Sequence, residues 1–216
     1  MTVARGSMIS QIENFLNVYF KNRRYFACIY GSYANGKKNE DSDIDVIIVT
    51  SKYTKSDLEN LKKFILKLHK ENGLKIDNEV PLDNKLVITY SDFKNAVNLD
   101  AFPIVRGKYN VSKVIKSKKF LSSRNVKLRL AFNAITSPHM VFGNDKITYY
   151  KYKTKAEKNL IRLAISIQDS SYFSKSDLLN VLMQGVMGES GEMYLGYKNY
   201  PSVIHKLQKI IDMGVK

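Results

Sequence analysis

Gly31-Ser32-Tyr33-Ala34-Asn35-Gly36-Lys37-Lys38-Asn39-Glu40-Asp41-Ser42-Asp43-Ile44-Asp45-Val46 runs from a glycine-bracketed loop to two carboxylates one residue apart, and the chain then enters the apolar run Val46-Ile47-Ile48-Val49. That run is short and β-branched, which predicts a buried strand beginning near Asp43. Side chains alternate along a strand, so Asp43 and Asp45 share one face while Ile44 and Val46 take the other. Two carboxylates held on one face repel each other unless cations sit between them. Magnesium suits such a pair, because it takes hard oxygen ligands and accepts one or two protein carboxylates together with phosphate oxygens. Upstream, Tyr25-Phe26-Ala27-Cys28-Ile29-Tyr30 reads as the preceding strand, with Gly31-Ser32 turning the chain at its end. A glycine there lets backbone N–H groups approach a phosphate, and the Ser32 hydroxyl can donate to one as well.

These residues resemble the signature of the nucleotidyltransferase superfamily typified by DNA polymerase beta, in its small prokaryotic form, which includes antibiotic-adenylyltransferase-like and minimal nucleotidyltransferase types. The family pattern is roughly Gly-Ser-x-Ala-x-Gly, a spacer, then Ser-Asp-x-Asp and apolar residues. Gly31, Ser32, Ala34, Gly36, Ser42, Asp43 and Asp45 match every fixed position, and Asn35 stands where many small members carry arginine. The match covers residues 25–50, and its two linked halves are more specific than a lone glycine loop.

The resemblance implies a third carboxylate on a neighbouring strand. Two candidates lie in Gly73-Leu74-Lys75-Ile76-Asp77-Asn78-Glu79-Val80-Pro81, where alternation puts Asp77 and Glu79 on one face and Ile76 and Val80 on the other. Asp77 is favoured, because the family's third acid commonly follows an apolar residue shortly after a glycine, and Glu79 is its rival. The same residues also suit the exposed face of an edge strand ended by Pro81.

By the same resemblance, Asp43, Asp45 and Asp77 would hold two magnesium ions against an NTP, ATP being the expected one. Asp77 or Glu79 would help deprotonate an acceptor hydroxyl. Gly31, Ser32, Gly36 and Ser42 would contact the nucleotide, joined by Lys116 and Lys119 from the basic region described below. The implied reaction moves an NMP group from the NTP to the acceptor and releases pyrophosphate, with two ions about 3.5–4 Å apart in the two-metal scheme.

The chain has 216 residues, 44% hydrophobic and 25% charged, the composition of a globular protein with room for a catalytic core and a smaller companion. No apolar run approaches the roughly 20 residues of a membrane span, and a signal-peptide core is not evident, so a cytoplasmic, membrane-free protein is expected. The single cysteine, Cys28, falls in a predicted buried strand, where packing explains it. Residues 1–7, with Arg5-Gly6-Ser7 before Met8, resemble an expression scar.

The expected fold is α/β (α+β): a nucleotidyltransferase core over residues 8–100, with a mixed sheet flanked by helices, then a basic, mainly helical region over 101–216. Helical spacing of Ile9, Ile12, Phe15, Leu16 and Tyr19 predicts a helix over 9–22. Ser56-Asp57-Leu58-Glu59 reads as a capping box opening a helix to about His69. Residues 85–90 suggest a strand, and Ser91 a short helix after it. Further helices are expected over 122–135, 154–168, 176–187 and 202–213.

Charge divides the chain at the same place. Residues 1–100 carry a net +2 of the total +15, and 101–216 carry the rest. Residues 101–144 contain no acid and nine bases: Arg106, Lys108, Lys113, Lys116, Lys118, Lys119, Arg124, Lys127 and Arg129. Such a field attracts polyanions and can hold a triphosphate, and it is equally the pattern of a solvated lysine-rich face. His69, His139 and His205 lack metal-ligand spacing and read as helix-end or surface residues. The glycine-rich stretch 188–198 reads as a connection before it reads as a lid. The acceptor stays open between a small molecule and a tRNA or protein of toxin–antitoxin type. A basic cleft favours an anionic acceptor over a cationic aminoglycoside. A module that binds nucleotide or nucleic acid without turnover is the alternative from another class.

Overall fold

The computed structural model describes residues 5–35, 43–76, 82–100, 123–136 and 139–168 of the chain. Helix α1 (Arg5–Tyr19) leads into strand β1 (Tyr25–Tyr30), a short helix α2 (Gly31–Asn35), strand β2 (Asp45–Thr50) and helix α3 (Lys55–Glu71). Then come α4 (Leu82–Lys85), β3 (Val87–Thr89), α5 (Tyr90–Val97), α6 (Ser123–Thr136), β4 (Met140–Gly143) and α7 (Lys146–Gln168).

The strands form one mixed sheet in the order β3-β2-β1-β4. β1 pairs antiparallel with β2 and with β4, whereas β2 and β3 run parallel. A parallel neighbour requires a crossover, and α3 lies within it. The two central strands are buried on both faces, and therefore read as continuous apolar runs rather than as alternation. On one face Tyr25, Ala27, Ile29, Val46 and Ile48 pack with Met8, Ile12, Leu16 and Phe20 and with Leu61, Ile65 and Leu68 of α3. On the other, Phe26 meets Phe93 of α5 edge-on, with ring centroids 5.4 Å apart, and Tyr149 of α7 at 5.7 Å. Cys28 is wholly buried there, and burial pushes its thiol up to about 12, as a packing residue requires.

Several boundaries differ from the sequence expectation for identifiable reasons. The cap of α3 is Thr54, not Ser56: the Thr54 side chain accepts from the Asp57 backbone, and Asp57 accepts from the Thr54 backbone. Both readings place an acid three residues after a hydroxyl, and the extended backbone of Thr54 selects between them. The helix expected to start at Ser91 begins at Tyr90, because Thr89 accepts from the Asp92 N–H. The strand expected over 85–90 contracts to Val87–Thr89, since Lys85 ends a helical turn. β4 falls in the connection expected between the helices over 122–135 and 154–168. Gly143 ends it at φ +117°, where a Cβ would lie 2.5 Å from the Tyr25 carbonyl oxygen. The helices expected over 176–187 and 202–213 and the stretch 188–198 lie outside the described residues. Among the described residues, no helix is long and apolar enough to cross a membrane.

Asp57 also accepts a two-pronged interaction from Arg23, at 2.9 and 3.0 Å, and a hydrogen bond from Tyr19 at 2.8 Å. One carboxylate thus ties α1, the entry to β1 and the start of α3. The Arg23 hydrogen bonds, partly opposed by burial and reinforced by the Thr54 cap, hold its carboxyl well below the usual carboxylate range. A folded-state pKa below the unfolded one stabilises the fold above the unfolded value, near 3.9, and that contribution fades as pH falls toward the folded value. Melting temperature should therefore decline between about pH 4 and pH 2 more steeply in the wild type than in Asp57→Asn. At pH 7 the variant should lose roughly 1–3 kcal/mol with the charged bonds and the cap. Parallel pH slopes in thermal melts of the two proteins would contradict this.

Candidate active site

β2 is a central strand, so carboxylates are tolerable only where it emerges from the sheet. Asp45 is its first residue, opposite Tyr30, the last residue of β1. Ile44 and Val46 belong to the core cluster with α1 and α3. Alternation therefore turns Asp45 to the other face.

The turn that joins β1 to α2 is built around Asp45. Gly31 has φ +72°, a conformation that L side chains rarely adopt, and a Cβ placed on it would collide with Asp45 Oδ2. Glycine is thus required twice here, for the backbone angle and for the space that the carboxylate occupies. Ser32 follows within α2.

Two side chains that the sequence did not single out as site residues organise the pair. The first is Lys85, whose Nζ lies 3.1 Å from Asp43 Oδ2 and 3.9 Å from Asp45 Oδ1. Its side chain is only 5% exposed, against 17% and 16% for the two carboxylates. A buried ammonium requires compensation, and the two acids supply it. The second is His69, near the end of α3. Its Nε2 accepts the Ile44 N–H at 3.1 Å, and Nδ1, 2.8 Å from the Ile65 carbonyl oxygen, is then the ring's donor. The expectation of a helix-end histidine holds for His69, but the ring is buried and fixes the backbone between Asp43 and Asp45. Helical spacing of His69 from Ile65 was legible in the sequence; the long-range bond to Ile44 was not. Lys85 had no such signal, because it sat inside a predicted strand.

Of the residues expected to bind nucleotide, metal or acceptor, the structure brings together Gly31, Asp43 and Asp45. Gly36, Ser42, Asp77, Glu79, Lys116 and Lys119 lie outside the described residues. Among the described residues, no cluster of three or more His, Cys, Asp or Glu side chains is placed to hold a metal. The two aspartates fit an ion that arrives with most of its ligands as phosphate and water oxygens, the mode magnesium favours.

The basic segment is partly resolved into structural roles. Arg124 pairs with Asp92 at 3.1 Å. Lys127 donates to the Tyr53 hydroxyl at 3.3 Å and lies over its ring. Arg129 is fully buried in α6. Of these three, Arg129 is withdrawn from solvent and leaves the expected basic face, whereas Arg124 stays exposed beside Asp92 and Lys127 is half-buried against Tyr53. His139 lies 2.8 Å from the Tyr149 hydroxyl.

Comparison with curated proteins and with solved structures finds no match. The family model described as a nucleotidyltransferase domain matches residues 9–156, from α1 into α7 and across all four strands. With the glycine turn, the paired aspartates and the mixed sheet all inside that span, the chain belongs to the nucleotidyltransferase domain family.

Proposed function

We propose that this protein is a magnesium-dependent enzyme that transfers an NMP group from an NTP, ATP being the expected one, to an acceptor hydroxyl with release of pyrophosphate. The observation that carries the reading is the Asp43–Asp45 pair at the mouth of β2, set against a Gly31 turn that has no room for a side chain. Magnesium bound with the triphosphate would neutralise phosphate charge and polarise the reacting phosphoryl oxygens. The chain's own part is positioning. Asp43 and Asp45 supply the oxygens that hold the charged nucleotide complex. Gly31 keeps the turn close to Asp45. His69 holds the Ile44 peptide, and so sets the angle between the two acids.

Asp77 or Glu79 is the proposed third acid, and Ser32, Gly36, Ser42, Lys116 and Lys119 the proposed further nucleotide contacts. The acceptor is proposed as a small molecule or, with Arg106 to Lys119 as the remaining basic run, a tRNA or protein. A cytoplasmic location completes the proposal. Nucleotide binding without turnover is the second reading. It has one observation in its favour, since the Lys85 ammonium already offsets part of the charge that would draw metal.

Three measurements test this. In Asp43→Asn/Asp45→Asn, calorimetric titration of a non-hydrolysable NTP analogue should lose its dependence on magnesium, while circular dichroism still reports a folded chain. Retained magnesium-dependent binding would sink the reading. Gly31→Ala should weaken the same binding at least tenfold and lower stability by about 1–3 kcal/mol, because a Cβ displaces Asp45 and the backbone angle is strained. His69→Phe strands the buried Ile44 N–H and should cost roughly 1–3 kcal/mol in urea denaturation, with faster exchange of the Ile44 amide. His69→Gln, which keeps an acceptor, should recover part of both; equal losses in the two variants would show that the acceptor is irrelevant.

A further inference from the structure

The family resemblance asks for an acid on a strand beside Asp43 and Asp45. β3 is the described strand on the outer side of β2, and the side chain delivered just ahead of it is a lysine. Its position is anchored by the sheet: the next residue, Leu86, accepts the Ile48 N–H at 2.8 Å, and Val87 is in register with Ile48. From there the ammonium bridges Asp43 Oδ2 and Asp45 Oδ1. Asp45 Oδ2 is directed the other way, toward Gly31. The pair therefore has two sides, one occupied by a cation of the protein and one turned to the glycine loop.

We propose that Lys85 is a resident cation of this site, filling the β3-side place between the carboxylates, so that the pair loads a single divalent ion on the Gly31 side together with the nucleotide. The proposal rests on the nucleotidyltransferase reading for the nucleotide, and on geometry alone for the lysine. A second ion placed on the β3 side of the pair, as two-metal sites space them, would compete with the ammonium for Asp43 Oδ2 and Asp45 Oδ1. Lysine is suited to the role, being a compact point charge on a long stem. Its burial beneath the more exposed carboxylates keeps it on the protein side, leaving the solvent side for the incoming complex. A resident monovalent cation also relieves the repulsion between Asp43 and Asp45 before any ligand arrives, which preorganises the pair.

Manganese is a suitable probe, because free Mn2+ is counted directly by electron paramagnetic resonance. With a saturating α,β-methylene NTP analogue, the wild-type protein should hold one tight Mn2+ per bound nucleotide; two tight ions per nucleotide would overturn the proposal. Without nucleotide, Lys85→Met should bind Mn2+ at least tenfold more tightly than wild type, since the two acids then face each other with no cation. Lys85→Arg should stay within threefold of wild type. An unchanged Mn2+ affinity in Lys85→Met refutes the resident-cation role, and Lys85→Gln replaces that variant if circular dichroism shows it unfolded. Failure of the wild type to bind nucleotide at all would remove the nucleotidyltransferase reading, while the nucleotide-free comparison would still decide the role of Lys85.

Discussion

Two carboxylates one residue apart at the start of a central strand impose a demand that the surrounding structure is built to meet. β2 is buried on both faces beyond Asp45, so charge can be carried only at its mouth, and like charges there repel. Each neighbouring element contributes a different remedy. The chain leaving β1 makes room with a glycine, α3 holds the intervening peptide with a histidine, and the entry to β3 brings an ammonium. The three contacts come from separate stretches of sequence, so the site exists only when the sheet and its flanking helices are assembled.

The scaffold that brings them together is held by two further carboxylates well away from the site. Asp57 joins α1, the entry to β1 and the cap of α3. Asp145, at the start of α7, accepts from Arg24 at 2.9 Å and from Tyr90 at 2.8 Å. Burial pushes that carboxyl up, but the hydrogen bonds from Tyr90 and Thr148 and the charge of Arg24 more than offset it, leaving it below its ordinary range. The Asn144 side chain closes the same corner, accepting from Tyr25 N–H and donating to the Arg23 carbonyl. The outer strand β4 and the beginning of β1 are thereby locked, and the glycine turn at the far end of β1 inherits a fixed base.

The basic character of the chain divides on inspection. A net charge of +15 suggests a polyanion partner by itself, yet Arg124 pairs with Asp92, Lys127 lies against Tyr53, and Arg129 of α6 is fully buried. A buried cation such as Arg129 contributes little to a long-range field, and the field of Arg124 is offset in part by Asp92 although its side chain stays exposed. A count of basic residues therefore overstates the surface available to RNA, and any electrostatic attraction of an acceptor rests on fewer side chains than the composition implies.

The nucleotidyltransferase assignment, the β1–turn–β2 unit, the buried faces of α1 and α3 and the structural nature of Cys28 were all determined by the sequence itself. Each depends on local spacing: an alternation of period two, an apolar repeat near 3.6, or a motif whose parts lie within a few residues. β4 was not legible, because a four-residue strand that ends on a positive-φ glycine carries too little periodicity, and pairing with β1 is what makes it a strand. Thr54 rather than Ser56 caps α3 because backbone geometry chooses between two hydroxyls of equal chemistry. Lys85 and His69 entered the site only through tertiary structure. Their partners, Asp43 and Ile44, are 42 and 25 residues away in sequence, and side-chain chemistry at that separation is set by which strand lies beside which, a choice that only the packed sheet makes.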